Sequence, residues 1–209
     1  NSSVGKDDPV FSFGHDSSGP GGTGMQFDGV DDYVVVPDHN SLDISTQLSV
    51  ETWVKIEKKP TGNDQNIVHK NTEYLLRYTN GGAEDVFSFY LYNGTDWMPV
   101  MNSSTHPVLN TWYHVVATWD DSTNDTKIYV NGVLENTVQN TNTINFSTSD
   151  LYISSWSATD SYLSGSIDEV RIYNRTLSAD EIRKHYNQKK PILHLKMDEG
   201  SGTTAYDES

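Results

Sequence analysis

Cysteine is absent from this 209-residue chain, and so is any long apolar segment. Without cysteine there is no disulfide bond, no catalytic thiolate and no zinc site with thiolate ligands. No run of about 18 apolar residues occurs, so the sequence predicts no transmembrane helix. The chain is still long enough to bury the core of one large domain.

Basic residues are scarce. Lysine and arginine number 14 against 29 aspartates and glutamates, which gives a formal net charge of −15. Because such a surface repels phosphate groups, we expect neither a nucleic-acid partner nor insertion into an anionic membrane. The acidity suits cation binding and solubility, although most of these carboxylates are expected to be solvated.

Short strands separated by tight turns run through most of the sequence. Asn131-Gly132 is the strongest turn signal, because Asn-Gly readily adopts the positive φ angles of a two-residue hairpin. Strands of this number and spacing indicate an all-β sandwich or jelly roll of two antiparallel sheets. Besides a short edge strand around Val10 to Phe13, the predicted strands are 25–27, 33–36, 48–56, 66–70, 73–78, 86–92, 97–101, 112–119, 127–130, 133–137, 151–155 and 165–173.

Two segments carry further structural signals. In the segment 48–56, apolar residues alternate with a second set of residues, which includes Trp53. Since this second set faces the opposite way and carries a large apolar ring, both faces of the strand are expected to be covered. One short C-terminal helix is predicted from Ser178, which forms a capping box with Glu181. Its apolar face carries Ile182 and Tyr186 at helical spacing.

Five segments of the chain resemble the laminin-G-like domains of the concanavalin A-like lectin/glucanase superfamily. They occur in the family's order and together cover most of Met25 to Asn187. The resemblance implies a jelly roll of two antiparallel sheets with about six or seven strands each. The five segments are MQFDGVDDYVVVPDHNSLD (25–43), LSVETWVK (48–55), TWYHVVATWD (111–120), KIYVNG (127–132) and GSIDEVRIYNRTLSADEI (165–182).

The last segment, Pro191–Ser209, is similar to the strand with which that family usually opens its domain. We therefore divide the chain into a sandwich over 1–187 and a linker plus strand over 188–209. One hypothesis is a unit of a tandem array or filament that binds copies of itself by donating this strand. The alternative is closure of the strand onto its own sandwich. The strand's apolar residues are Ile192, Leu193, Leu195 and Met197.

Calcium is the cofactor that the resemblance implies. Asp168 lies in an otherwise apolar strand, and the family's relatives commonly use an aspartate at this place as a ligand of structural calcium. Asp28 and Asp198 are further candidate ligands. In the alternative interpretation Asp168 accepts hydrogen bonds from backbone amides, while Asp31 and Asp32 lie in a solvated turn.

Glycan binding is the alternative function, with a polysaccharide or cell-surface glycan as partner. Trp97, Trp156 and Tyr162 lie beside polar turns and are candidates for a platform on which sugars stack. In the competing interpretation each ring covers a sheet edge or a loop. The tryptophans at family core positions, Trp53, Trp112 and Trp119, are expected to be buried.

An enzyme is not expected. The paired-carboxylate signature of glycosidases on this fold, zinc-binding helices, nucleophile elbows and phosphate loops are all missing, and His114 is predicted to be a hydrogen-bonded core residue. The main interpretation is an extracellular or cell-surface structural and adhesive repeat, and the alternative is a carbohydrate-binding module of a larger secreted protein. Besides Asn1, the candidate glycosylation acceptors are Asn93, Asn102, Asn124, Asn145 and Asn174.

Overall fold

A computed structural model describes residues 3–5, 14–20, 22–60, 62–80, 85–98, 100–141 and 144–188. These residues form fourteen strands, one short 3-10 helix and one α-helix. The strands are β1 (Ser3–Gly5), β2 (Gly14–Gly19), β3 (Gly22–Asp28), β4 (Tyr33–Val36), β5 (Gln47–Ile56), β6 (Gln65–Lys70), β7 (Tyr74–Asn80), β8 (Asp85–Leu91), β9 (Met101–Asn102), β10 (Trp112–Asp120), β11 (Asp125–Val130), β12 (Val133–Gln139), β13 (Leu151–Ile153) and β14 (Ser164–Tyr173). The 3-10 helix is Asn40–Leu42, and the α-helix is α1 (Ala179–Asn187).

Two seven-stranded sheets hold these strands. The first sheet has the order β1-β4-β13-β6-β7-β8-β9, and the second has the order β12-β11-β10-β5-β14-β3-β2. Paired neighbours are antiparallel in both sheets. The main core lies between the sheets and includes Leu48, Val54, Leu76 and Phe89. The prediction of an all-β sandwich with one short C-terminal helix is confirmed.

The alternation predicted for β5 is also confirmed. Val50 and Val54 are buried in the core between the sheets, whereas Glu51 and Trp53 are buried on the opposite face. Since successive side chains of a strand point to opposite sides, burial of both sets requires a second covering layer. On this sheet α1 supplies that layer.

Helix α1 begins at the predicted capping box. Ser178 accepts a hydrogen bond from the backbone of Glu181, and the Glu181 carboxylate accepts one from the backbone of Ser178. Ile182 is buried together with Val116 and Tyr129, which point outward from the second sheet. The amphipathic helix therefore docks on the outer face of the second sheet.

Polar contacts fasten the helix to that face. Glu51 Oε1 lies 2.9 Å from His114 Nε2, and His185 Nδ1 of the helix lies 3.1 Å from both Glu51 oxygens. Tyr173 donates a further hydrogen bond of 3.0 Å to Glu51 Oε2. Trp53 packs against His114 with a ring-centroid distance of 5.1 Å. His114 is therefore buried and hydrogen-bonded, as the sequence predicted.

A lysine interrupts the apolar core side of the first sheet. Lys70 is fully buried, and its Nζ lies 2.6 Å from Glu73, 2.9 Å from Asp38 and 3.0 Å from the carbonyl oxygens of Ser147 and Ser149. Burial alone would lower the pKa of Lys70, but the hydrogen bonds to Glu73 and Asp38 outweigh burial and raise it. The ammonium group thus ties the 147–149 segment to the sheet.

Some details differ from the predictions. The strand predicted at 97–101 is only Met101–Asn102, because the Asn93 side chain accepts hydrogen bonds from Thr95 and Asp96 and folds the preceding residues into a turn. Trp112, which was expected to be buried, is only half-buried: it faces outward from the second sheet, on the same side of β10 as His114, and its indole N–H donates to the exposed hydroxyl of Ser18. By contrast, the predicted Asn131-Gly132 hairpin turn has the expected positive φ angles of 52° and 77°.

Two predictions fall on residues outside the described ranges: the edge strand at Val10 to Phe13 and the donor strand within Pro191–Ser209. Strand donation and the boundary at 187 therefore stay predictions. Among the described residues, no helix is both long enough and apolar enough to span a bilayer.

Candidate functional site

A row of aligned side chains crosses the outer face of the first sheet. Tyr152 pairs with His69, His69 with Leu75, and Leu75 with Tyr90, so these residues lie side by side across β13, β6, β7 and β8. Cross-strand partners share a face, and the core residues Val68 and Leu76 occupy the opposite one. The outer face of this sheet is therefore unusually rich in rings.

Two tryptophans from neighbouring loops lie over this row. Trp97 follows β8 and Trp156 follows β13, and their ring centroids are 6.1 Å apart at an angle of 59°. Trp97 also packs edge-on against Tyr92 at 5.3 Å and Tyr90 at 6.3 Å. Each tryptophan is half-buried and so keeps part of its ring accessible. We call Trp97 and Trp156 the tryptophan pair.

His69 lies directly under one member of the pair. Its ring stacks on Trp156 at a centroid distance of 4.2 Å, and the side chain has no exposed surface. Burial lowers the pKa of His69 to about 4, although the carboxylate of Asp160 acts in the opposite direction. The imidazole is therefore neutral at neutral pH.

An arginine borders the row on the other side. Arg77 lies 4.3 Å above the Tyr90 ring and donates a 2.6 Å hydrogen bond to the Tyr90 hydroxyl. Its guanidinium also forms a 3.0 Å ion pair with Asp64. The charge of Arg77 is therefore held by protein groups beside the tryptophan pair.

The loop that carries Trp156 has a strained backbone. In residues 154–163, which we call the cover loop, four non-glycine residues adopt positive φ angles: Ser154, Ser157, Ala158 and Ser161. Each such conformation costs roughly 1 kcal/mol or more and persists only where surrounding contacts impose it. Here Asn66 donates its backbone N–H to Ser161, and Ser154 donates to Ile67, so β6 anchors the loop at both ends.

Tyr162 lies at the far end of the cover loop. Its ring is 6.4 Å from Tyr33, which in turn lies 6.1 Å from Tyr152. Tyr162 lines an open cavity of about 500 Å³ together with Lys58 and Asp160. The structure thus brings Trp97 and Trp156 together, and it places Tyr162 in an adjoining cavity rather than against them.

The same cavity borders an acidic cluster. Among the residues that the structure describes, Asp28, Asp31 and Asp32 have carboxylate oxygens that all lie within 4.8 Å of one another. Asp28 also accepts a 2.8 Å hydrogen bond from Val30, which closes the turn. Three carboxylates at this spacing are hard oxygen donors of the kind that calcium prefers.

Asp168 lies apart from that cluster. Ser164 pairs with Asp28, and Asp168 follows four residues later on β14, about 13 Å further along the strand. Asp168 and Asp28 would therefore belong to different sites. Asp198, the third predicted ligand, lies outside the described residues.

The candidate glycosylation acceptors differ in exposure. Asn174 is exposed, whereas Asn93, Asn102, Asn124 and Asn145 are half-buried. The side chains of Asn93, Asn102 and Asn145 also make hydrogen bonds within the protein.

Sequence reasoning missed His69, Asn66, Arg77 and Tyr90. Each lies on a strand whose outer face looks unremarkable in the sequence, and only the strand pairing brings them onto the face where the tryptophan pair lies. The one available signal was the position of His69 next to core residues of β6, which placed it on the outer face.

Comparison with known families supports the fold. A laminin G family model, described as the concanavalin A-like lectin/glucanases superfamily, matches residues 28–183. No curated protein sequence matches the chain significantly.

Several solved structures share the fold at low identity. The botulinum neurotoxin serotype G binding domain has 18% identity and a TM-score of 0.70, covering 94% of this chain and 48% of its own. Domain 4 of AbnA, a GH43 extracellular arabinanase from Geobacillus stearothermophilus solved with arabinotriose, has 20% identity and a TM-score of 0.66, with coverages of 88% and 86%. Botulinum neurotoxin type C, which interacts with two ganglioside molecules, has 17% identity and a TM-score of 0.64, with coverages of 94% and 48%. This chain spans about half the length of the toxin structures.

Proposed function

The chain belongs to the concanavalin A-like lectin/glucanases superfamily, and on that premise we propose that it is a carbohydrate-binding domain whose site is the tryptophan pair. The observation that carries this proposal is the geometry of Trp97 and Trp156, two half-buried rings 6.1 Å apart on the outer face of a sheet. Ligand sites typically combine aromatic surfaces with a few well-placed polar groups.

The surroundings of the pair suit a sugar. The apolar C–H faces of a sugar ring can pack on an indole, while its hydroxyl groups need hydrogen-bond partners close by. Arg77 and Asp160 border the rings and supply polar atoms. The cavity beside Tyr162 continues the surface, so a chain of several sugar units has room to extend along it.

The solved structures add support of a coarser kind. Two of those with the same fold were described with a sugar or ganglioside partner, namely arabinotriose and two ganglioside molecules. At 17–20% identity they share the fold alone. They favour the carbohydrate-binding interpretation over the filament repeat, which depends on the undescribed tail.

Calorimetric titration of the purified protein tests the proposal. The panel contains neutral oligosaccharides of arabinose, xylose, glucose and galactose, and a sialylated ganglioside head group. We expect at least one sugar to bind, and Trp97→Ala and Trp156→Ala each to weaken binding about tenfold or more, since one aromatic contact contributes on the order of 1 kcal/mol or more. Trp112→Ala on the other sheet is the matched control. Wild-type affinity in both pair variants would rule out this site.

We also propose that the domain binds sugars without cleaving them. The sequence lacks the spaced carboxylates of the glycosidases on this fold. Incubation of the protein with an oligosaccharide that it binds should release no new reducing ends over many hours. Release that depends on the presence of this protein would contradict the proposal.

Calcium binding at the acidic cluster is a further part of the proposal. Asp28, Asp31 and Asp32 would be the ligands, and binding would join their carboxylates across the turn after β3. Calcium should raise the melting temperature relative to a chelator-treated sample, and Asp31→Asn should remove the rise. Asp121→Asn, in the turn that follows β10, serves as control. Equal melting temperatures with calcium and with chelator would remove calcium from the proposal.

We propose an extracellular location. The support is the family and the extracellular arabinanase among the structures that share the fold. Fractionation of the source cells tests this, and recovery of the protein solely from the cytosol would contradict it.

A further inference from the structure

We propose that the buried side chains of His69 and Asn66 form the hydrogen-bonding floor of the sugar site and select uncharged sugars. The inference rests on the proposed function and deepens it. We call His69 and Asn66 the floor. The tryptophan pair would pack against the sugar ring, and the floor would form hydrogen bonds with its hydroxyl groups.

Both floor residues are buried without protein partners. His69 has 0% and Asn66 1% of its surface exposed. Within the described part of the chain, neither ring nitrogen of His69 and neither amide atom of Asn66 has a hydrogen-bond partner. Buried polar groups are almost always hydrogen-bonded, because leaving them unpaired is costly. Two fully unpaired side chains on one strand therefore need a reason other than folding stability.

Strand pairing puts the two side chains on the ligand-binding side of the sheet. Asn66 pairs with Arg77 and His69 with Leu75 on β7, and Arg77 packs over the outward-facing ring of Tyr90. Between them the register shifts, so that both Ile67 and Val68 enter the core. The shift leaves Asn66 and His69 as the outward-facing side chains at this point of β6.

The cover loop is the layer over the floor. Trp156 stacks on the His69 ring, and Ser161 accepts the backbone N–H of Asn66. This loop has four non-glycine residues with positive φ, a costly conformation. Trp156 lies on this loop and not on a strand, so a shift of its ring would give a sugar access to the His69 side chain.

The chemistry of the floor matches sugar hydroxyl groups. A neutral imidazole offers one donor and one acceptor, and a carboxamide offers two donors and an acceptor. Hydroxyl groups can both donate and accept, so different hydroxyl groups of one sugar chain can satisfy the two side chains.

The charges around the floor favour an uncharged ligand. Asp160 is exposed and close enough to act on His69, and Asp96 is exposed immediately before Trp97. Arg77, the cation that borders the row, is already paired with Asp64. A sialic acid or uronic acid carboxylate would meet net negative charge here.

Two near-isosteric substitutions test the floor: His69→Phe, which keeps the stacking on Trp156, and Asn66→Leu. We expect each to weaken binding of the neutral oligosaccharide about tenfold, which corresponds to one lost hydrogen bond of about 1.4 kcal/mol. We also expect each to raise the melting temperature of the free protein by roughly 2–4 °C, because an unpaired buried polar group is removed. The sialylated head group should bind wild type at least tenfold more weakly than the neutral sugar.

His114→Phe is the matched control, because His114 is equally buried beside a tryptophan but bonds Glu51. It should lower the melting temperature and leave sugar affinity unchanged. If His69→Phe lowers the melting temperature like His114→Phe, or if both floor variants bind the sugar as wild type does, the floor is overturned. In the second case loss of binding in Trp97→Ala would leave the proposed function intact. Failure of wild type to bind any sugar would contradict both.

Discussion

Two buried histidines on opposite sides of the molecule are surrounded in different ways. His114 lies against Trp53 under helix α1, and His69 lies against Trp156 under the cover loop. His114 bonds the buried carboxylate of Glu51, whereas His69 has no hydrogen-bond partner among the described residues. Each histidine contacts a tryptophan on the outside of a sheet, yet only the first belongs to a polar network that stabilises the fold.

The covering layers differ in the same way. Helix α1 is regular and capped at its start, and its Tyr186 stacks on Trp53 at 5.6 Å. The cover loop has strained residues and leaves Trp156 half-exposed. The comparison teaches that the two buried histidines differ in how far they are satisfied: His114 is bonded through one ring nitrogen, whereas neither ring nitrogen of His69 has a partner among the described residues, which leaves both for a ligand.

The largest expected contrast is between the two tryptophans. Trp53→Ala should lower the free energy of unfolding by about 3–5 kcal/mol, because it empties a buried site between the second sheet and α1. Trp156→Ala should cost no more than about 2 kcal/mol, because the side chain is half-exposed. Urea denaturation of both variants measures the difference. Equal losses would mean that the cover loop is as much a part of the folded core as α1 is.

The next prediction concerns the hydrogen-bond network around Glu51 under helix α1. Glu51→Gln should destabilise the protein by about 2–3 kcal/mol, because His114, His185 and Tyr173 all bond this carboxylate. Glu57→Gln, which alters a half-buried carboxylate immediately after β5, should cost about 0.5 kcal/mol. Urea midpoints decide the matter, and similar values for the two variants would show that the network contributes little.

The third contrast separates the two faces by the pH at which stability is lost. Burial lowers the pKa of His69 from its ordinary 6.5 to about 4, against the attraction of Asp160. Only the unfolded chain binds this proton between those values, so stability should fall by up to about 1.4 kcal/mol per unit as pH drops from 6.5 to 4.

Glu51 affects stability in a lower pH range than His69 does. Burial alone would raise its pKa, but the hydrogen bonds and charges of His114 and His185 lower it from 4.5 to about 2. Stability from this carboxylate is present above pH 4.5 and is lost as pH falls toward 2. In a plot of the free energy of unfolding against pH, the slope between pH 6.5 and 4 should therefore decrease for His69→Phe. The slope between pH 4.5 and 2 should decrease for Glu51→Gln. Unchanged slopes in both variants would contradict the assignment of these two pH ranges to His69 and Glu51.

Much of the fold was predictable because its signals are local. The alternation in β5, the Asn-Gly turn before β12 and the capping box at Ser178 each depend on a few neighbouring residues. The strand around Trp97 was predicted too long, because the hydrogen bonds of the Asn93 side chain determine where the chain turns.

The site was predictable only in part. Trp97 and Trp156 were identified from their polar surroundings, but their contact depends on two loops that lie far apart in the sequence. His69 gave only its outward position on β6, and Asn66 gave no local signal, because burial and the absence of partners arise only when β6, β7 and the cover loop assemble. Tyr162 looked equivalent to the tryptophans, yet the cover loop places its ring 6.4 Å from that of Tyr33.

The central claim is that sugar binds at the tryptophan pair on the first sheet. The chain has five tryptophans, and each indole N–H gives its own signal in a 1H–15N correlation spectrum. On titration with the neutral oligosaccharide that binds best, the signals of Trp97 and Trp156 should move, while those of Trp53, Trp112 and Trp119 stay in place. Movement of the Trp112 signal with the pair unchanged would put the site on the second sheet and contradict the claim.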